Sequence, residues 1–585
     1  MRRFLQKIGK FNRIRREQGL AGLRLHARYF AHRARERRNY QKWIKAHELT
    51  DEKRAEIQGL IGGFERNPLI SVVMPVYNVD EKWLRACIDS VLGQLYENWE
   101  LCIADDASPS PNIRSVLDEY AARDARIKVV YREQNGHISA ASNSALELTT
   151  GEFTALLDHD DELSEDALFW VADEINSHPE TSMIYSDEDK IDAAGRRSEP
   201  KFKPDWSRDF FYSLNLITHL SVYRTALLRD IGGFRVGFEG SQDHDLALRV
   251  IEQIPETAIR HIPRILYHWR AIEGSVALSS DAKPYAFEKG REALRSHFER
   301  TGVAAEVVAA VDNLHRVRYT LPDPVPKVSL ICLVDNANDK AGAMEIHCNT
   351  FYENMEVLLV CPEKLSAEVN DLDGNVRVIP TDETGEAARY NMGALHAEGE
   401  VLCFIDTVLW PMDAAWLGEM AAMAMQDGIG AVGAKIEGAG GTVLHAGLVI
   451  DKDGSILQAN HGIPSDEPGY FFRAGLINNF SAVSIAAFAC RRTLFMEMEG
   501  FDHENFPAHL YDVDLCLRLW SRNMRVVFTP YAPLYPVESR KLHFELDIPT
   551  RERETLEAKW KPFLERDPFY NPNLRTGNDN FEVDI

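Results

Sequence analysis

No window of the chain approaches the roughly 18 consecutive apolar residues that a transmembrane helix needs. The N-terminus, MRRFLQKIGK, lacks an apolar stretch followed by a small-residue cleavage site, so no secretory leader is expected. The 8 cysteines form no CxxC pair and fall mostly within apolar runs. That excludes a zinc ribbon or a disulfide framework and predicts reduced, buried thiols in a cytoplasmic protein. Positive charge is short: 66 Lys and Arg face 90 Asp and Glu, for a net charge of −24. An acidic body argues against nucleic acid as the main partner. The one exception is residues 1–50, where 15 Lys and Arg meet 3 Asp and Glu.

What is present is an ordinary globular composition, 45% hydrophobic and 27% charged. The 585 residues far exceed the roughly 250–300 at which a single core stops growing, so two or more domains are expected. The basic arm places Phe4, Leu5, Ile8, Phe11, Leu20, Leu23, Leu25, Tyr29 and Phe30 on partly helical spacing. Two readings stay open for it. Residues 1–40 could lie as an amphipathic helix on an anionic membrane surface, or they could pack on the body or on a second subunit. Gly19 and Gly22 are expected to break the arm. A further helix is expected in 40–62, with Thr50 as its N-cap.

From Pro68 the pattern becomes strand–helix alternation. LISVVMPVYN, WELCIADDAS, IKVVY and FTALLDHDDE each read as a buried strand, separated by helices over 80–95, 112–123 and 140–148. Such alternation means parallel βαβ units, whose ligand groups gather at the carboxyl ends of the strands. Tyr77, Asp105, Asp106, Asp158 and Asp160 all fall at such ends. The stretch FTALLDHDDE is the most telling, because carboxylates crowded at the end of an apolar strand repel unless a cation sits among them. Asp158 and Asp160, spaced i, i+2, are hard oxygen ligands suited to Mg²⁺ or Mn²⁺.

The pattern then repeats. After the linker LPDPVPK (321–327), VSLICLVDNAN takes the place of ISVVMPVYN, MEVLLVCPE that of WELCIADDAS, and GEVLCFIDTVL that of GEFTALLDHDDEL. GFDHENFPAHLYDVDLCLRLW echoes GGFRVGFEGSQDHDLALRVIE. In the second copy Asp105-Asp106 becomes Cys361-Pro362, and Asp158-His159-Asp160 becomes Asp406-Thr407-Val408. The expected organisation is a helical arm (1–65), a first domain (66–320), a second, degenerate copy (321–545) and a C-terminal helix and tail (546–585).

VVMPVYN, DDAS, LDHDDEL, GSQDHDLALR and ILYHWR, in this order, resemble the family 2 glycosyltransferases of the GT-A fold, above all those of bacterial O-antigen and surface-polysaccharide synthesis. The resemblance covers about 65–275 strongly and 325–540 more weakly. It implies an α/β fold of two tandem GT-A domains and an inverting transfer from a nucleotide sugar to a saccharide or polyprenyl-linked oligosaccharide.

It also implies roles. Tyr77 would stack on the nucleobase and Asp106 would accept the imide N–H of uracil or thymine, with a helix N-cap as the alternative role for Asp106. Pro75, Asp105, Gly136, Asn143 and Trp269 would border the donor, and Asp158 and Asp160 would hold the metal against the diphosphate. His268 would be a third, imidazole ligand and Asp161 would steady its neighbours. Trp269 and Arg270 would border the diphosphate or a loop through Gly274. Asp243 would be the general base, with Asp245 as the alternative. The family's arginine near Ala141-Ser142 is missing, which leaves His137 or Asn143 as substitutes. Pro536 stands where the second copy would need the equivalent of His268, while Asp512 and Asp514 keep the base motif. Rival readings are a nucleotidyltransferase, a non-catalytic saccharide-binding scaffold, and a bifunctional enzyme with both copies active.

Overall fold

The computed structural model describes residues 2–272, 284–366, 375–438, 440–451, 454–537, 542, 548–577 and 580–585. The chain divides into two units. One comprises residues 37–206, 214–315 and 583–585; the other comprises residues 1–36, 207–213 and 316–582.

In the first unit the strands are β1 (Ile70–Val76), β2 (Trp99–Asp105), β3 (Ile127–Tyr131), β4 (Phe153–Leu156), β5 (Glu162–Leu163), β6 (Met183–Ile191), β7 (Arg197–Lys201), β8 (Ser221–Arg224) and β9 (Ile259–Arg270). Their order in the sheet is β3-β2-β1-β4-β8-β6-β9-β5, with β7 alongside β6. β1 is flanked in parallel by β2 and β4. All seven of its residues are buried, as helices on both faces of a parallel sheet require. The helix Glu81–Leu92 starts at Asp80, whose side chain caps Lys82 N, and buries Leu84, Cys87, Ile88 and Val91. β8 then enters antiparallel between β4 and β6, and β9 returns parallel to β6. This mixed α/β sheet is the GT-A arrangement.

The second unit repeats it. Its strands run in the order Val376–Thr381, Met355–Pro362, Val328–Leu333, Val401–Ile405, Ala487–Arg491, Ile429–Gly438, Arg525–Pro536 and Leu409–Pro411. Parallel pairs join the first four, and Ala487–Arg491 is antiparallel to its neighbours. The order is that of the first sheet strand for strand.

The units do not follow the expected boundaries. The arm, Arg2–Ala46, is two helices that meet at a kink at Gly19 (φ 66°), as expected of that glycine; Gly22 stays within the second helix. Residues 37–46 go with the first unit because Tyr40 and Trp43 pack with Phe202 and Tyr40 bonds Asp189. Residues 1–36 go with the second, where His26 lies 3.1 Å from Asp466 and 3.3 Å from Glu467 and where Ile14 and Tyr29 are buried. This packing is the second of the two readings of the arm. The C-terminal tail is also built in: Asp567 accepts bonds from Ile450 N and Ser481, and Arg473 donates to Phe569 O. Thr50 caps the helix Asp51–Ile61 as expected, through Lys53 N at 3.3 Å.

Candidate active site

At the carboxyl ends of β1 and β4 the first unit opens a cleft of about 430 Å³, solvent included. Pro75, Ser142, Asp158, Thr218, His219, Gln242 and Asp243 are among its walls. Asp158 and Asp243 therefore face the same space from different elements. Tyr77 follows β1 and stays 47% exposed, an aromatic face open to a ligand.

Asp243 opens the helix Gln242–Ile251. Its Oδ1 accepts the His244 N–H at 2.9 Å and its Oδ2 accepts the Asn215 amide at 3.0 Å. Burial holds its carboxyl above the ordinary range, with His219 pulling the other way and Asp158 adding to the rise. Asp245 is placed quite differently. It is fully buried and bonded to Arg249 at 3.0 Å and to Arg235. Two guanidiniums occupy it, so of the two candidate bases only Asp243 faces the cleft.

Carboxyl crowding marks the end of β4. Asp161 is buried; its Oδ2 accepts the Tyr267 hydroxyl at 2.5 Å and its Oδ1 the Arg270 N–H at 2.6 Å. The Arg270 side chain pairs with Glu162, donates to the Asp160 carbonyl and stacks over Trp83. Burial, reinforced by repulsion from Asp158, raises the Asp160 carboxyl, and burial with repulsion from Asp160 and Asp158 raises Asp161 further. Carboxyls that resist ionising beside one another are suited to exchanging protons for a cation. Ligand atoms of Asp158, Asp161 and His219 lie within 4.8 Å of one another. Two carboxylates and an imidazole are a donor set that fits Mn²⁺ or Mg²⁺.

The imidazole in this group is His219, where the sequence pointed to His268. Strand alternation explains the difference. Tyr267 and Trp269 lie on one face of β9, and His219 stacks on Tyr267 (4.4 Å) and meets Trp269 edge-on (5.7 Å). His268 points to the other face and lies 2.6 Å from the Asp189 carboxylate on β6. Asp160 is not a member of the close group either.

Other expected donor residues serve the backbone. Both amide atoms of Asn143 are bonded to Phe234, one to its carbonyl and one to its N–H, each at 2.8 Å. Asn143 thus fastens the loop before the helix Gln242–Ile251 and is not free for a phosphate. Asp106 Oδ1 accepts Arg132 Nε at 2.8 Å and Gly136 N at 2.9 Å, while Oδ2 receives only the longer 3.2 Å bond from Gly136. Asp106 does not cap a helix; Ser110 precedes Pro111–Arg123. Gly136 contributes room as well, since a Cβ there would sit 2.6 Å from Arg132 Nη2. Asp105 accepts Ser108 N, and its other oxygen is buried without a partner among the described residues. Trp269 is half-buried with Lys201 over its ring at 5.0 Å. Gly274 lies outside the described residues.

Sequence reasoning missed Arg132, Asn215 and His219. Arg132 follows β3, opposite the acids that end β2, a position that could have been read as their counter-ion.

A model of the family described as glycosyl transferase family 2 matches residues 71–232. A protein of Escherichia coli K12 named for colanic acid biosynthesis glycosyl transfer, WcaA, is 31% identical over 199 residues, which cover 33% of this chain and 69% of that one. The chain belongs to the family 2 glycosyltransferases. Longer matches include an uncharacterized protein, y4gI, of Sinorhizobium fredii, 40% identical over 548 residues (89% of this chain, 59% of that one). The O-antigen biosynthesis protein RfbC of Myxococcus xanthus is 35% identical over 549 residues (92% of this chain, 42% of that one). The chain thus spans about half the length of these two relatives. Among solved structures, S. aureus TarS 1–349 in complex with UDP-GlcNAc aligns over 39% of this chain and 72% of that chain, at 21% identity and a TM-score of 0.32.

Proposed function

We propose that the first unit transfers a glycosyl group, with inversion, from a UDP- or dTDP-sugar to a hydroxyl of a saccharide or lipid-linked oligosaccharide. The setting would be the cytoplasmic side of bacterial surface-polysaccharide synthesis. One observation carries the reading: Asp158, the first acid of DHDD, and Asp243, a half-buried carboxylate without, among the described residues, a guanidinium partner of the kind that holds Asp245, line a single cleft. Asp243 would take the proton of the attacking hydroxyl, which its raised affinity for protons favours. Tyr77 would stack on the base, and Asp106, steadied by Arg132, would offer Oδ2 to the ring N–H. Asp158, Asp161 and His219 would hold a divalent cation, which when bound neutralises charge building on the departing diphosphate. The names of RfbC and WcaA, O-antigen and colanic acid biosynthesis, support the polysaccharide setting.

The second unit is proposed to be non-catalytic. Asp512, the counterpart of Asp243, spends both oxygens on backbone N–H groups, Ile485 and Val513, each at 2.9 Å. Asp406 accepts Val408 N, and among the described residues no second cation-binding group occurs. The test is release of UDP or dTDP from a panel of nucleotide sugars with Mn²⁺ present. Loss of turnover in Asp243→Asn with UDP binding retained supports the reading; full turnover in that variant ends it.

A further inference from the structure

Asn215 lies in the irregular segment before β8, outside every sequence motif, yet its Nδ2 donates to the Asp243 carboxylate at 3.0 Å. The Thr218 hydroxyl donates to the Asn215 carbonyl at 3.3 Å and steadies the turn. The other amide atom, Oδ1, is buried and has no hydrogen-bond partner among the described residues. A buried acceptor left unpaired beside an ionisable group calls for a reason.

We propose that Asn215 is a positioning residue for the base, whose amide serves both protonation states of Asp243; this rests on the reading of Asp243 as the general base. Before transfer Asp243 is a carboxylate and needs a donor, which Nδ2 supplies. During transfer the acceptor O–H bond breaks, and its oxygen bonds the anomeric carbon. The bond from that carbon to the diphosphate oxygen breaks with its electron pair leaving on the nucleotide. The proton passes to Asp243. A carboxyl O–H at Oδ2 then needs an acceptor, not an N–H. A half-turn of the amide brings Oδ1 to that place, and no bond is forfeited at Oδ1, because it had none. Asparagine alone among side chains of this size and length offers both a donor and an acceptor there. Aspartate can only accept when ionised, and leucine can do neither.

The test uses the full chain with Mn²⁺, and UDP-glucose, UDP-galactose, UDP-GlcNAc and dTDP-rhamnose as donor probes. Nucleoside diphosphate release gives kcat, and calorimetry gives the Kd for UDP. Asn215→Asp and Asn215→Leu are both expected to lower kcat by about 30-fold or more, a part of the roughly 100- to 10,000-fold that a general base contributes, while the Kd for UDP stays within about twofold of the wild type. A kcat within about twofold of wild type in Asn215→Asp overturns the proposal. So does a loss of UDP binding in step with kcat in both variants, which is the mark of a merely structural side chain. The underlying reading fails separately, through a wild type that turns over none of the four probes or an Asp243→Asn variant as active as wild type.

Discussion

The Ser71 hydroxyl donates to Glu100 at 2.6 Å, and the Ser329 hydroxyl donates to Glu356 at the same distance in the second repeat. Each serine also accepts a glycine N–H from just before the fourth strand, Gly151 at 2.9 Å and Gly399 at 2.8 Å. A Cβ on Gly151 would come 2.5 Å from Leu69 O, and one on Gly399 2.6 Å from Ser329 N. Three strands are thus pinned together at their amino ends, opposite the ends that carry the site. Both repeats keep this pin, whereas of the acids at the carboxyl ends, Asp105, Asp106, Asp158 and Asp160, the second keeps only the counterpart of Asp158, Asp406. The scaffold and the chemistry have diverged separately.

Stability should respond to the pin directly. Burial pushes the Glu100 carboxyl up, but bonds from Lys128, Ser71 and Thr150 outweigh it and bring it down to about 2. A carboxyl lowered on folding stabilises the fold above its unfolded value near 4.5, and that contribution is lost as pH falls from there towards 2. Glu100→Ala removes the carboxylate that accepts from Lys128, the Ser71 hydroxyl and the Thr150 N–H and should cost about 3 kcal/mol at pH 7. Urea denaturation at pH 7 and pH 3 checks both points, the difference between the two pH values being smaller in Glu100→Gln than in wild type.

The two acids of the base helix should part company under the same substitution. Asp243→Asn removes a carboxylate that burial disfavours, so turnover is lost while the melting temperature holds or rises. Asp245→Asn leaves Arg235 and Arg249 facing a neutral group in a buried place and should cost about 3 kcal/mol. Thermal melts alongside UDP calorimetry separate the loss of chemistry from the loss of fold.

Much of this was legible in the sequence, and the unread part has a pattern. β1 to β4 are apolar runs closed by polar residues, so their strands and site-bearing ends could be read directly. β6 could not, because MIYSDEDKI buries Asp187, Glu188 and Asp189, and three consecutive acids read as a turn until their partners are known. Of those partners, Arg197 and Lys203 lie just beyond the following turn, and His261 comes from β9, far along the chain. Asn143 was misread for the same reason, since its demand comes from the backbone of Phe234. His219, inside LITHLSV, has the local appearance of a packed core histidine, and only the pairing of β8 with β4 and β6 brings it to the acids.

In the second repeat Asp512→Asn should leave nucleotide-sugar turnover within about twofold of wild type. Its carboxylate bonds only backbone groups in the described structure, so the expected cost is about 1 kcal/mol of stability. A collapse of kcat in this variant with an unchanged melting curve would mean that the second unit takes part in the chemistry.

Cation binding should pick out one histidine. Titration of Mn²⁺ followed by loss of the free-ion EPR signal is expected to show weaker binding in His219→Gln by about tenfold or more, the scale of a lost ligand or its close support. His268→Gln should bind within about twofold of wild type, because its ring is engaged by Asp189 on the opposite face of β9. The pH dependence has a definite sign. Burial and mutual repulsion raise Asp160 and Asp161, so at low pH these groups hold protons that a cation must displace. Affinity should therefore climb as pH rises through and above the ordinary carboxylate range, and Asp161→Asn should flatten that climb. A wild-type affinity in His219→Gln together with a loss in His268→Gln would return the third ligand to β9 and require the ring of His268 to leave Asp189.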